Sequence, residues 1–132
     1  MTTQGLLDTS ALILLDRLSP AELPAEPVVS CITLAELSLG PLATEDPRER
    51  AIRQVRLQEA EAAFEPLPFD IAAARAYGSV AASLRRSGRK PAARAFDALI
   101  AATALANGLD LYTCNPRDFA GIEGLTVVHI VH

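Results

Sequence analysis

The feature that most constrains this chain is a repeated change of hydrophobic period, in which a short apolar run stops on a polar residue and apolar residues then continue at helical spacing. Gly5-Leu6-Leu7 reads as a short buried strand that stops at Asp8, and Ser10 to Leu18 carries apolar residues at the spacing of a helix. After a loop from Ser19 to Pro27 with three prolines, Val28-Val29-Ser30-Cys31 reads as a second strand, and a short helix is predicted from about Thr33 to Gly40-Pro41. Pro47 to Phe64 is rich in Arg, Glu, Gln and Ala and is predicted to be an amphipathic helix with Ile52, Val55 and Ala62 turned inward. Pro66 to Phe69 reads as a short extended piece. Asp70 suits the N-cap of a long helix to Arg86 that Gly88 ends, and Pro91 suits the first turn of another running to Asn107-Gly108. Phe96, Leu99, Ile100 and Thr103 form the expected apolar stripe of that last helix. Leu109–Cys114 and Thr126–Val131 close the chain as strands around a short helical turn at Pro116–Phe119. Strands alternating with helices predict an α/β fold with a mainly parallel central sheet. In such sheets ligands bind beyond the carboxyl ends of the strands, so chemistry is expected there.

The length of 132 residues fits one compact domain spanning 1–132. No apolar run approaches the roughly 20 residues that span a bilayer, and the first residues lack the basic flank and apolar core of a signal peptide. A cytoplasmic protein with no membrane partner is the expectation. Cys31 and Cys114 sit in separate apolar segments without CxxC spacing or a neighbouring His, which argues against a zinc site and a disulfide scaffold. The absence of Trp and the low aromatic content argue against a base-stacking platform, and the net charge of −4 argues against broad phosphate binding. Charge is nevertheless uneven. Arg85, Arg86, Arg89, Lys90 and Arg94 place five of the 12 basic residues within ten positions, with no acid among them. That run is either a surface for a nucleic-acid backbone or the solvated end of a helix.

Three strand ends deliver polar residues to the expected ligand edge: Asp8-Thr9-Ser10, Thr33 to Glu36, and Thr113 to Asp118. Asp97 joins them from the helix that follows Pro91, with Ala101 and Ala104 as small neighbours on its face. Carboxylates from separate elements suit a hard cation such as magnesium, which prefers oxygen ligands and can be held against a phosphate. Each acid also has a structural reading. Asp8 or Ser10 can cap the first helix, Thr33 to Glu36 matches the S/T-x-x-E capping box, and Asn115-Pro116-Arg117-Asp118 has the form of a cap, a proline and a first-turn acid. Asp97 is harder to assign to capping, because it lies within the helix among Phe96, Leu99 and Ile100. The only histidines, His129 and His132, lie at the end of the chain as strand and tail residues, which gives little support to acid–base catalysis by a histidine pair.

Leu7-Asp8-Thr9-Ser10-Ala11-Leu12-Ile13, Thr33-Leu34-Ala35-Glu36-Leu37, Phe96-Asp97-Ala98-Leu99-Ile100-Ala101-Ala102 and Thr113-Cys114-Asn115-Pro116-Arg117-Asp118-Phe119 resemble, in order and spacing, the motifs of the PIN-domain family and in particular its VapC branch. The resemblance implies a three-layer α/β/α sandwich with a short, mainly parallel central sheet. It also implies a Mg²⁺- or Mn²⁺-dependent endoribonuclease, the toxin of a toxin–antitoxin system, that forms a homodimer and is blocked by a cognate VapB-type antitoxin. Asp8 and Asp97 match the family's two principal metal ligands, and Glu36 matches the acid that completes the catalytic metal site directly or through water. Asn115 stands where the family often has a fourth acid, and Asp118 is a candidate outer member of the site. In the mechanism this implies, Thr9, Ser10 and Thr113 hydrogen-bond the carboxylates or phosphate oxygens, while Arg85, Arg86, Arg89, Lys90 and Arg94 hold the RNA. Three readings compete: a binding module with the fold but no chemistry, a nuclease for structured DNA, and a phosphoacceptor domain. The last lacks a lysine near a late strand end, since Lys90 is the only one.

Overall fold

The computed structural model describes residues 3–132. The elements are β1 (Gln4–Leu7), α1 (Thr9–Ile13), β2 (Glu26–Val28), α2 (Cys31–Leu39), α3 (Pro47–Ala63), α4 (Ile71–Arg86), α5 (Ala95–Ala106), β3 (Asp110–Thr113) and β4 (Val127–His129), with short 3-10 turns between several of them. All four strands are parallel and lie in the order β2-β1-β3-β4. The chain therefore steps outward from β1 to β2 and returns on the other side of β1 to add β3, which puts the reversal of strand order at the β1/β3 boundary.

Because side chains alternate across a strand, Leu6 and Leu7 enter different cores. Leu6 pairs in register with Leu111 and joins Val80, Leu84, Ile100 and Phe119 in the core beneath α4 and α5. Leu7 joins Ala11, Leu12, Leu37, Ala60 and Ile130, with Tyr112 packed against them, in a second core beneath α1, α2 and α3. Two apolar cores on the two faces of one parallel sheet make the three layers, as expected for the α/β/α class. Gly5 lets β1 and β3 close. A Cβ there would collide with the Tyr112 ring and stand 2.8 Å from Pro24 Cβ.

Several expected boundaries shift for local reasons. The first helix stops at Ile13 instead of running to Leu18, and the 3-10 turn Leu15–Arg17 precedes Leu18, which is buried in the second core. The second strand ends at Val28, because Ser30 leaves the ladder to cap α2: its hydroxyl accepts the Thr33 N–H at 3.1 Å, so Cys31 already lies in the helix. Only Leu67 of the expected extended piece pairs, in an isolated bridge with Ser30. Asp70 caps α4 through the Ala73 N–H as predicted, and Gly88 follows the helix end with φ of 75°.

Two helical faces differ more seriously from expectation. On α3 the inward residues are Leu57 and Ala60, while Ile52, Val55 and Ala62 are exposed. On α5 the buried set is Ala98, Ile100, Ala101, Ala102, Thr103 and Ala104, and Phe96 lies toward solvent. A helix buried on most of its circumference is held by small residues that admit close neighbours, not by a single stripe of large ones. The same packing buries Ala101 and Ala104, so they do not leave space for a ligand beside Asp97.

Candidate active site

Asp8 follows β1 directly, at the carboxyl edge of the β1/β3 boundary. Its N–H donates to Tyr112 O at 3.0 Å, continuing the ladder one residue past the strand. Its Oδ1 accepts the Ala11 N–H at 2.9 Å, capping α1, and the Ser10 hydroxyl at 2.7 Å. Its Oδ2 accepts the Thr113 hydroxyl at 2.5 Å. An ionised carboxylate only accepts, so both hydroxyls donate to Asp8, while Ser10 Oγ accepts the Cys114 N–H at 3.2 Å and Thr113 Oγ1 accepts the Asn115 N–H at 2.9 Å. Capping and site placement thus coexist in Asp8. Although only 4% exposed, it has its charge supported by three donors, and burial still outweighs them and raises its pKa above the ordinary 3.8.

Glu36 stands in the second turn of α2, and its Oε1 accepts the Thr9 hydroxyl at 2.6 Å. Thr33 Oγ1 lies 3.1 Å from the same Thr9 oxygen. Since Ser30 is the N-cap of α2, the Thr33–Glu36 capping box does not form and Glu36 is free of that role. Burial, and to a lesser extent the nearby Asp8 charge, raise its pKa despite the Thr9 bond.

Asp97 occupies the first turn of α5, where no side chain caps the helix. Among the described residues no donor reaches its carboxylate. Its pKa is pushed up to about 6, chiefly by burial and then by the charges of Asp118, Glu36 and Asp8, with Arg94 acting in the opposite sense. Asp118 lies in the 3-10 turn Pro116–Phe119 and accepts Arg94 Nη1 at 2.8 Å. Asn115 makes no capping bond with its side chain and is exposed.

The expected basic surface is therefore divided. Arg94 is committed to Asp118, and Arg86 bonds Glu123 at 3.3 Å and Ser83 at 3.2 Å. Arg89 is half-buried, whereas Arg85 and Lys90 are exposed. The Arg94–Asp118 pair was not foreseen because 24 positions separate its members, although Arg94 three residues before Asp97 was a usable signal. His129 lies exposed on β4, and both cysteines are free thiols.

Four carboxylates act on one another at this edge against one guanidinium. An all-oxygen donor set with uncompensated negative charge fits a hard divalent cation. Among the described residues no three acidic, histidine or cysteine side chains converge closely enough to hold a metal ion by themselves.

Comparison with known proteins agrees with this geometry. The PIN domain family model matches residues 6–125, a span that includes Asp8, Glu36, Asp97 and Asp118. Ribonuclease VapC5 of Mycobacterium tuberculosis is 37% identical over 96% of this chain and 93% of its own length. The chain belongs to the PIN-domain family, in its VapC branch. Among solved PIN-fold structures, that of VapBC-5 from M. tuberculosis, a member of the VapBC family of toxin–antitoxin systems, superposes with a TM-score of 0.82 at 36% identity, covering 99% of this chain and 100% of that one. DNA-bound VapBC from Salmonella typhimurium superposes at 0.69 with 28% identity over 96% and 97% of the two chains.

Proposed function

We propose that this PIN-domain chain is a divalent-metal-dependent endoribonuclease and the toxin of a VapBC-type pair, with Asp8, Glu36 and Asp97 as its working carboxylates. The observation that carries the reading is the contrast at the β1/β3 boundary. Asp8 has three donors holding it ionised and oriented, while Asp97 stands partly buried with no donor among the described residues and a raised pKa. A buried acid with fixed geometry near one without a hydrogen-bond donor of its own is the arrangement a cation completes.

Asp8 and Asp97 would hold Mg²⁺ or Mn²⁺, with the free lone pair of Asp8 Oδ2 and the unpaired Asp97 oxygens as the donors. When bound, the cation supplies positive charge at the scissile phosphate and acidifies a water. Thr9 fixes Glu36 by its Oε1, which leaves Oε2 to orient the attacking water and take its proton. Ser10 and Thr113 hold Asp8 in the orientation the donor set needs. Attack by water leaves a 3′-hydroxyl and a 5′-phosphate. Arg85 and Lys90, which are exposed, steer the RNA backbone.

The antitoxin is the partner proposed for the groove between α1 with its following turn and α3, a concavity of about 700 Å³ lined by Ile13, Ile52 and Val55. Those three apolar side chains are 40%, 48% and 51% exposed. They present the kind of surface an amphipathic partner helix covers. The groove meets α1 at its Leu12–Ile13 end, opposite the end that Asp8 caps, and none of the four site carboxylates lines it.

Cleavage of matched RNA and DNA oligonucleotides, with Mg²⁺, with Mn²⁺ and with EDTA, tests the catalytic reading. RNA cut in a metal-dependent manner and DNA left intact is the expected result. Undiminished cleavage in EDTA refutes the metal, and cleavage of DNA alone refutes the substrate. Absence of all cleavage alongside tight binding of the antitoxin favours a module without chemistry.

A further inference from the structure

The Arg94–Asp118 pair has no role in the chemistry above, yet it stands inside the site. Arg94 ends the 3-10 turn before α5 and Asp97 lies three residues on, while Asp118 comes from the turn after β3. The pair therefore joins two of the elements that carry the site, and each partner is only 36% exposed at the side chain. Among the charges that act on Asp97, Asp118 is the largest and Arg94 is the one that opposes the rest.

We propose that Arg94 is a built-in counter-charge that lowers the metal affinity of the carboxylate site, and that Asp118 acts through its charge and its bond to Arg94 and not as a metal ligand. This inference rests on the metal-dependent reading of the same site. An acid bonded to a guanidinium at 2.8 Å has an oxygen already engaged by a cation, so it competes poorly as a ligand. The guanidinium in turn adds positive charge at a site that must attract a divalent ion. With both present they partly offset each other at Asp97, where Asp118 is the stronger influence and Arg94 the weaker. Removing Arg94 alone leaves the site more negative, removing Asp118 alone leaves it more positive, and removing both recovers part of what the loss of Asp118 alone costs. A ligand and a counter-charge are thereby separable: loss of a ligand is not repaired by also removing a distant cation.

The test is Mn²⁺ titration by calorimetry of wild type, Arg94→Gln, Asp118→Asn and the double variant, with Arg94→Lys as the variant that keeps the charge. A unit charge acting on a divalent ion across a half-solvated site changes affinity by about fivefold. Asp118→Asn is expected to bind Mn²⁺ about fivefold more weakly and Arg94→Gln more tightly by up to about fivefold, with the double variant tighter than Asp118→Asn and Arg94→Lys within about twofold of wild type. If the double variant is as weak as Asp118→Asn, Asp118 is a ligand and the proposal is overturned. If Arg94→Gln binds no more tightly than wild type, the counter-charge is refuted. The assay needs no turnover, so the two readings fail separately. Wild type that binds no Mn²⁺ refutes the metal-dependent function, whereas wild type that binds while the cycle fails refutes only this inference.

Discussion

Replacing Thr113 with valine isolates the support given to Asp8. The Thr113 side chain is fully buried and donates to Asp8 Oδ2 at 2.5 Å. Valine keeps the volume and the β-branch that suits β3, so it removes the donor with little change in packing. A hydrogen bond to a charged group contributes about 1.5–3 kcal/mol, and the Asn115 N–H that also loses its acceptor belongs to an exposed residue and can turn to water. The expected loss is about 2 kcal/mol while Asp8 is ionised, or roughly 8 °C in Tm for a domain of this size. Because the bond favours the charged form, its loss raises the Asp8 pKa further. Once Asp8 is protonated, only a neutral hydrogen bond is missing and the cost falls to about 1 kcal/mol. Thermal melts in EDTA from about pH 4.5 to 8 should therefore show the gap between variant and wild type widening as pH rises. A gap of the same size at both ends, or one below about 2 °C at the upper end, refutes the claim that Thr113 stabilises an ionised Asp8.

Asp8, Glu36 and Asp97 all have raised pKa values, so each binds its proton more tightly in the folded state than in the unfolded chain. Their contribution to metal-free stability is complete below the ordinary values of 3.8 and 4.5 and is lost as pH rises, through about 6 for Asp97. Melts in EDTA should show this as a falling trend that flattens in Asp97→Asn, and an unchanged trend in that variant would contradict the assignment. Metal affinity should weaken below about pH 6 as Asp97 takes up its proton, which Mn²⁺ titration at two pH values would show. Gly5→Ala should cost about 1–3 kcal/mol in urea unfolding, because its Cβ must displace the Tyr112 ring and crowd Pro24; a neutral result would mean that the β1–β3 contact relaxes easily. Val55→Asp should weaken antitoxin binding by at least about tenfold while RNA cleavage by the free protein is unchanged, and retained affinity would move the partner off the groove.

Asp8 was legible because an apolar strand that stops on an acid delivers that acid to the ligand edge of a parallel sheet, whether or not it also caps the helix that follows. Asp97 was legible because a helix starting near Pro91 gives an acid at that position little from capping. In the structure Pro91–Arg94 is a 3-10 turn and α5 begins at Ala95, so Asp97 lies in the first turn, where an acid is also favoured by the helix dipole. Glu36 was obscured by chance. Thr33 to Glu36 has the spacing of a capping box, and only the geometry shows that Ser30 takes the cap. Sequence period identified α3 but not which way it faces: Ile52 and Val55 share one side of the helix, while Leu57 and Ala60 are the residues the core holds. Apolar residues on two faces cannot be ranked without knowing where the sheet lies. The Arg94–Asp118 pair and the Thr113–Asp8 bond depend on the return of β3 beside β1, so they are tertiary facts that no local pattern encodes.

If Asp8 and Asp97 jointly hold the metal on which RNA cleavage depends, neutralising either one should abolish most of the activity. Single-turnover cleavage of one RNA at saturating Mg²⁺ by wild type, Asp8→Asn and Asp97→Asn tests this most directly, with circular dichroism to confirm that each variant is folded. Each substitution keeps the shape and removes the charge, and each is predicted to lower the rate by at least about a hundredfold. A folded Asp97→Asn or Asp8→Asn variant that cleaves at the wild-type rate would contradict the shared metal site.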